Sequence, residues 1–122
     1  MFAHVKFADL PVDDFDRAIA FYVECLGLAL VTDEVYGDGS RWAELAVKGA
    51  ATKIRLFLRS DGADGSEPAL ILVTSNVKST YERLRKKGVE FTQAPRRAEW
   101  SSRETCAIFL DSEGNQVLIS SG

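Results

Sequence analysis

The stretch that decides the fold runs Asp14-Phe-Asp-Arg-Ala-Ile-Ala-Phe-Tyr22 and is followed by Leu26-Gly27. Its apolar side chains recur with the period of an α-helix: Phe15, Ala18, Ile19, Tyr22 and Leu26. Asp13 or Asp14 is suited to cap the first turn, because a carboxylate accepts hydrogen bonds from the unpaired amides there. Gly27 is suited to end the helix. The sequence therefore predicts one amphipathic helix close to the start of the chain.

Strands are predicted on both sides of this helix. Phe2–Leu10 is expected to be the first strand, with Pro11 stopping it. A turn is expected at Tyr36–Ser40, which contains two glycines. The strands expected after the helix are Leu28–Thr32, Trp42–Val47 and Lys53–Leu58. The resulting order is strand, helix and three strands, and alternation on the last of them places Ile54, Leu56 and Leu58 in the core.

The same order recurs after a polar segment at Ser60–Glu67, which we expect to be a linker. Asn76 or Ser75 is expected to cap the second helix, and Gly88 to end it. The strands expected in this half are Ala69–Val73, Val89–Thr92, Thr105–Leu110 and Gln116–Ser120. Pro95–Arg103 is expected to be a polar loop holding Trp100, suited to cover a pocket. The prediction is one domain over residues 1–122, with halves at 1–60 and 68–122.

Composition narrows the function classes. The chain has 122 residues and a net charge of −3, with acidic and basic residues interspersed. The basic stripe typical of nucleic-acid binding is missing. No apolar run is long enough for a membrane span, and the N-terminus has no signal-peptide pattern. The two cysteines, Cys25 and Cys106, have neither zinc-site nor disulfide-framework spacing. We therefore expect a cytoplasmic protein with reduced thiols.

Three motifs resemble the vicinal-oxygen-chelate superfamily of glyoxalases, bleomycin-resistance proteins and dioxygenases. They are the helix at Asp14–Leu28, Lys87-Gly-Val-Glu-Phe91, and Phe109-Leu-Asp-Ser-Glu-Gly-Asn115, in which Ser112 replaces a proline that is frequent in the family. The resemblance implies an α+β fold in which paired βαβββ modules form a curved eight-stranded sheet around a cavity. It also implies a homodimer. Because this fold hosts many chemistries, it does not by itself imply a function.

The resemblance further implies four inward-facing strand positions that hold a divalent metal in the metal-dependent members. In this chain they fall on Phe7, Arg55, Ala69 or Leu70, and Leu118. None of these side chains is a ligand for such an ion. His4, the only histidine, lies three residues before the first position and is interpreted as a strand-end residue. We therefore expect no metal and no other cofactor.

Strand alternation indicates which side chains would line a pocket. The candidate ligand-binding residues are Phe7, Asp9, Trp42, Glu44, Arg55, Phe57, Trp100, Gln116 and Leu118. Arg55 is suited to bind a carboxylate or phosphate, and the tryptophans to stack on a planar ligand. In the purely structural alternative, both tryptophans fill the core or an interface and Arg55 forms an ion pair with Glu44. Aromatic walls with a few polar groups are typical of sites for small organic molecules.

Three functions remain open from the sequence. The first is a metal-free small-molecule-binding protein that binds or sequesters a planar or anionic ligand. The second is a divalent-metal-dependent glyoxalase-like lyase or dioxygenase. The third is a metal-free acid–base enzyme that uses Asp9 or Glu44. In each case the partner is a small molecule, not a nucleic acid or a membrane.

Overall fold

The computed structural model describes residues 1–59 and 67–122, and the chain divides into two compact units, Met1–Ala63 and Asp64–Gly122. Of the predicted linker Ser60–Glu67, only Glu67 lies inside the described residues. The eight described strands form two four-stranded sheets, one in each unit. Each unit also contains one helical segment. The predicted α+β class is therefore confirmed.

The first unit has the predicted order of elements. Its strands are β1 (Phe7–Val12), β2 (Ala29–Val35), β3 (Arg41–Ala46) and β4 (Lys53–Leu58), and α1 (Phe15–Ala20) follows β1. The carboxylate of Asp14 accepts a hydrogen bond from the amide of Arg17 at 3.0 Å, so Asp14 is the N-cap of α1. The helix continues as a π-helical turn at Phe21–Cys25 instead of remaining α-helical. The predicted glycine end is confirmed, because Gly27 has a positive φ of 74° that glycine adopts without strain.

The first sheet has the strand order β1-β4-β3-β2, with β1 and β4 parallel and the other pairs antiparallel. Its residues alternate between a buried and a partly exposed face. The buried face is apolar and comprises Leu10, Val12, Ala43, Leu45, Ile54 and Leu56. Because α1 contacts β4 and its Ala18 is fully buried, this apolar face lies under the helix. The opposite face is partly exposed.

Two expectations for this sheet are wrong. Pro11 does not stop β1, which begins later than predicted and continues to Val12. Among the described strands β1 lies at the edge of its sheet, where a proline is tolerated. Leu58 does not join the core, because it is the last residue of β4 and its side chain is 62% exposed.

The second unit repeats the arrangement. Its strands are β5 (Pro68–Val73), β6 (Phe91–Ala98), β7 (Ser101–Leu110) and β8 (Gln116–Ser120), and α2 (Val77–Lys86) follows β5. The sheet order is β5-β8-β7-β6, with β5 and β8 parallel. The side chain of Asn76 caps α2 by accepting a hydrogen bond from the amide of Ser79 at 3.0 Å. Gly88, with φ of 88°, ends the helix as predicted.

The predicted loop Pro95–Arg103 is wrong. β6 extends through Pro95 to Ala98 and pairs with β7, so only Glu99 and Trp100 form the turn between them. The pairing is irregular between Gln93 and Arg96, where Pro95 lies. β6 is an edge strand, and register irregularities are tolerated at sheet edges. No helix among the described residues is long and apolar enough to cross a membrane.

Candidate functional site

Six of the nine candidate residues lie together on the partly exposed face of the first sheet. They are Phe7, Asp9, Trp42, Glu44, Arg55 and Phe57, and we refer to them as the first-sheet site. The register explains why they meet, since Arg55 on β4 lies directly opposite Asp9 on β1 and Glu44 on β3. Residues that are opposite each other on neighbouring strands project from the same face. This part of the sequence prediction therefore agrees with the geometry.

Arg55 is the centre of the first-sheet site. Its Nε donates a hydrogen bond to Oδ1 of Asp9 at 2.9 Å. Its Cζ lies 5.3 Å from the ring centroid of Trp42 and 5.6 Å from that of Phe57, within the range of cation–π contacts. The Arg55 side chain is 30% exposed. One carboxylate and two aromatic rings thus orient a guanidinium that solvent or a ligand can reach.

Phe7 extends the aromatic part of the site. Its ring meets that of Trp42 edge to face, with centroids 5.7 Å apart and planes at 75°. Aromatic rings prefer such geometry, because the positive ring edge faces the negative ring face. The ammonium group of Lys6 lies 5.3 Å from the Phe7 centroid. The rings of Phe7 and Trp42 therefore pack against each other, and Lys6 places a second cation beside Phe7.

The ion pair sets the electrostatics of the site. The hydrogen bond from Arg55 lowers the pKa of Asp9, and the same bond raises the pKa of Arg55. Asp9 is therefore ionised at neutral pH and is a weak proton acceptor. The structural alternative of an Arg55–Glu44 ion pair is not the arrangement observed, because the partner of Arg55 is Asp9. Because its pKa is lowered, Asp9 is also a weaker candidate for the general base of an acid–base enzyme.

Three polar groups of this face have no partner among the described residues. The Glu44 carboxylate is half-buried and forms no hydrogen bond or ion pair with another described residue. The same is true of the Trp42 indole N–H and of the two terminal amino groups of Arg55. Sequence reasoning missed Thr32 on β2, which lies opposite Glu44. A register shift between Leu30 and Thr32 hides this neighbour from simple alternation.

The other three candidate residues belong to the second unit. Trp100 lies in the β6–β7 turn, is 60% exposed, and donates from Nε1 to Oε2 of Glu104 at 2.7 Å. Gln116 and Leu118 lie two residues apart on β8 and so share one face. Leu118 is buried in an apolar cluster with Ala98, Cys106 and Ile108.

The residues at the four family metal positions do not fit a divalent ion. Phe7 and Leu118 have no donor atom in their side chains, Ala69 and Leu70 have none either, and Arg55 is a cation already bound to Asp9. His4 is exposed and lies before the start of β1. In the described part of the chain, no three His, Cys, Asp or Glu side chains come together in a way that would hold a metal.

A protein-family model matches almost the whole chain. Residues 2–119 match the model of the Glyoxalase/Bleomycin resistance protein/Dioxygenase superfamily. Among curated proteins, the chain is 29% identical over 110 residues to YetH of Bacillus subtilis (strain 168), covering 88% of this chain and 89% of that protein. The match therefore extends over both units.

Solved structures give the same result. The chain resembles UcmS2 with a TM-score of 0.85 and 28% identity, covering all of both chains. It resembles TnmS3, an antibiotic binding protein from Streptomyces sp. CB03234, with a TM-score of 0.82 and 33% identity, covering 97% of this chain and 94% of that one. The similarity to these structures spans nearly their full lengths.

Proposed function

This chain belongs to the Glyoxalase/Bleomycin resistance protein/Dioxygenase superfamily, and we propose that within it the protein is a metal-free binding protein for planar, anionic small molecules. Binding or sequestration of the ligand, with no chemical step, is the proposed activity. The first-sheet site is the proposed location. The residues that contact the ligand there are Phe7, Asp9, Trp42, Glu44, Arg55 and Phe57, and Trp100, Gln116 and Leu118 remain candidate contacts of the second unit.

The observation that carries this proposal is how the guanidinium of Arg55 is oriented and which of its N–H groups are already bound. Its guanidinium is oriented by Asp9 and by the rings of Trp42 and Phe57, while its terminal amino groups have no acceptor among the described residues. A guanidinium presents paired N–H groups that match the geometry of a carboxylate or phosphate. Because the side chain is already held in place, little conformational entropy is lost when an anion binds. The surrounding rings favour an anion attached to a flat apolar body.

A related protein supports the binding activity. TnmS3 is an antibiotic binding protein and is 33% identical to this chain. This similarity supports a small organic molecule as the ligand of the present protein. An aromatic surface with a few oriented polar groups is the usual composition of sites that bind such molecules.

The two enzymatic alternatives have weaker support. A metal-dependent lyase or dioxygenase needs several ligands in one place, and the family positions here supply none. A metal-free acid–base enzyme would need Glu44 as its base, because Asp9 is already bound to Arg55. Glu44 has free lone pairs, and release of a product from any ligand of this site would favour that alternative.

Two further properties belong to the same proposal. Cys25 and Cys106 are not joined in a disulfide, which agrees with a reducing compartment, and we propose a cytoplasmic location. We also propose a homodimer, since the twofold dimer is the most frequent assembly among soluble homo-oligomers.

The binding proposal is tested by calorimetric titration with 2-naphthoate and with 2-naphthamide, which has the same rings but no charge. We expect the wild-type chain to bind 2-naphthoate and to prefer it over the amide by about tenfold, the usual effect of one charge-assisted hydrogen bond. In ¹⁵N-labelled protein, 2-naphthoate should shift the indole N–H signal of Trp42. Loss of the charge in Arg55→Gln should remove the preference.

Arg83→Gln is the matched control, since Arg83 is an exposed arginine on α2 and outside the site. It should bind 2-naphthoate as the wild-type chain does. The proposal is wrong if neither compound binds, or if the amide and the acid bind equally well to the wild-type chain.

A further inference from the structure

A row of polar side chains crosses the first sheet from edge to edge. Asp9 on β1, Arg55 on β4, Glu44 on β3 and Thr32 on β2 are consecutive register partners. Neighbouring strands are about 4.8 Å apart, so the row presents an anion, a cation, an anion and a hydroxyl at regular intervals. Asp9 neutralises Arg55 on one side only. Glu44, on the other side of Arg55, forms no ion pair with it or with any other described residue.

Glu44 is the residue in this row whose carboxylate has no hydrogen-bond donor among the described residues. An ionised carboxylate accepts hydrogen bonds and cannot donate them. The carboxylate oxygens of Glu44 still reach water, because no buried side-chain oxygen of the described residues lacks a hydrogen-bond partner. A ligand that covers this face displaces that water, which costs free energy unless the ligand itself donates a hydrogen bond to the carboxylate. Thr32 lies opposite Glu44 but is not hydrogen-bonded to it. A ligand that covers this face is therefore expected to supply a donor for Glu44.

We infer that the ligand of the first-sheet site carries two groups: an anion for Arg55 and, about one strand spacing or ~5 Å away, a hydrogen-bond donor for Glu44. This inference rests on the proposed function and names the class of ligand, which is an aromatic acid with a hydroxyl or amino group on its ring. Glu44 is the specificity-determining residue. It rejects a ligand without the donor, because its carboxylate would then lose water without gaining a partner.

The placement of the aromatic residues agrees with this class. Trp42 and Glu44 are two residues apart on β3 and so project from the same face, and Trp42 already contacts Arg55. A flat ring that rests on Trp42 can therefore direct one substituent to Arg55 and another to Glu44. In a benzoic acid, the meta position separates the two substituents by roughly one strand spacing, ~5 Å. The meta-hydroxy acid is accordingly the best simple probe.

The test compares 3-hydroxybenzoate with 3-methoxybenzoate, which keeps the ring, the acid and the oxygen but has no donor. Binding is followed by NMR titration, with the Trp42 indole N–H as the site-specific signal. We expect the wild-type chain to prefer the hydroxy acid by about tenfold or more, as for a hydrogen bond to a charged group. In Glu44→Met, which keeps a side chain of similar length with only a weakly accepting sulfur, the preference should fall to about one.

Glu44→Gln is the second variant, because it changes the shape least and removes only the charge. It should reduce the preference while leaving the dispersion of the NMR spectrum unchanged. If both acids bind to the wild-type chain with equal affinity, or if Glu44→Met keeps the preference, the inference is wrong and the proposed function stands. If neither these acids nor 2-naphthoate binds, the proposed function and the inference both fail.

Discussion

At the scale of single residues, the Asp9–Arg55 pair determines how the site responds to acid. Arg55 lowers the pKa of Asp9 below its ordinary value of 3.8. A carboxyl group with a lowered pKa stabilises the folded state above its ordinary pKa, and this contribution is lost as pH falls through the lowered value. Because Asp9 is 51% exposed, solvent screening limits the effect to at most about 1 kcal/mol.

We therefore expect Asp9→Asn to lower the melting temperature slightly at about pH 6 and to have a smaller effect at about pH 3, where the wild-type pair is also weakened. Thermal unfolding at a series of pH values measures the difference. Glu34→Gln is a suitable control, since Glu34 is exposed and forms no ion pair with a described residue. A difference between wild type and Asp9→Asn that grows toward low pH would contradict the linkage.

The same pair marks the limit of prediction from sequence. Alternation is a local property of each strand, so the sequence alone is enough to group Phe7 with Asp9 on one face of β1. It could not choose between Asp9 and Glu44 as the partner of Arg55. That choice depends on the strand order β1-β4-β3, which gives Arg55 a carboxylate on each side. It also depends on side-chain rotamers, which no sequence pattern encodes.

At the scale of secondary structure, the second helix offers a clean test of capping. Ser75 and Asn76 are both good N-cap types, and the structure assigns the role to Asn76. Asn76→Ala should therefore lower the free energy of unfolding by about 1 kcal/mol, while Asn76→Asp should retain most of it. Ser75→Ala is the matched control and should cost little, because Ser75 is exposed and has no described partner. Urea unfolding measures all three, and equal losses for Ser75→Ala and Asn76→Ala would contradict the assignment.

Strand bounds were predicted correctly for two inner strands and wrongly for two edge strands. The bounds of the inner strands β4 and β8 agree with the sequence prediction at both ends. The bounds of the edge strands β1 and β6 do not, and each of these contains a proline, Pro11 or Pro95. A proline breaks a strand only where its missing N–H is needed by a neighbour. The sequence does not reveal which strands lie at an edge, so the rule was applied where it does not hold.

At the scale of the whole molecule, the two units share a strand topology but differ in the side chains of their corresponding rows. Both sheets have the first strand beside the fourth, followed by the third and the second. In the first unit this order aligns Asp9, Arg55 and Glu44. In the second unit it aligns three apolar residues in the corresponding row, namely Ile71, Leu118 and Ile108. The repeated order of elements predicted the shared topology, whereas only the structure reveals that this ionic row is confined to one of the two sheets.

The proposed homodimer is the prediction that belongs to this scale. The edge strand β2 exposes apolar side chains that a second copy could cover, among them Val31 at 45% and Val35 at 70%. We expect sedimentation equilibrium to give twice the chain mass of 13.4 kDa. Val31→Glu with Val35→Glu should shift the protein to monomer, because two carboxylates would be buried at the interface without partners. Val5→Glu is the control, since Val5 is equally an exposed valine but lies before β1. A wild-type chain that sediments as a monomer at every concentration would refute the homodimer, and a double variant that remains dimeric would exclude β2 as its interface.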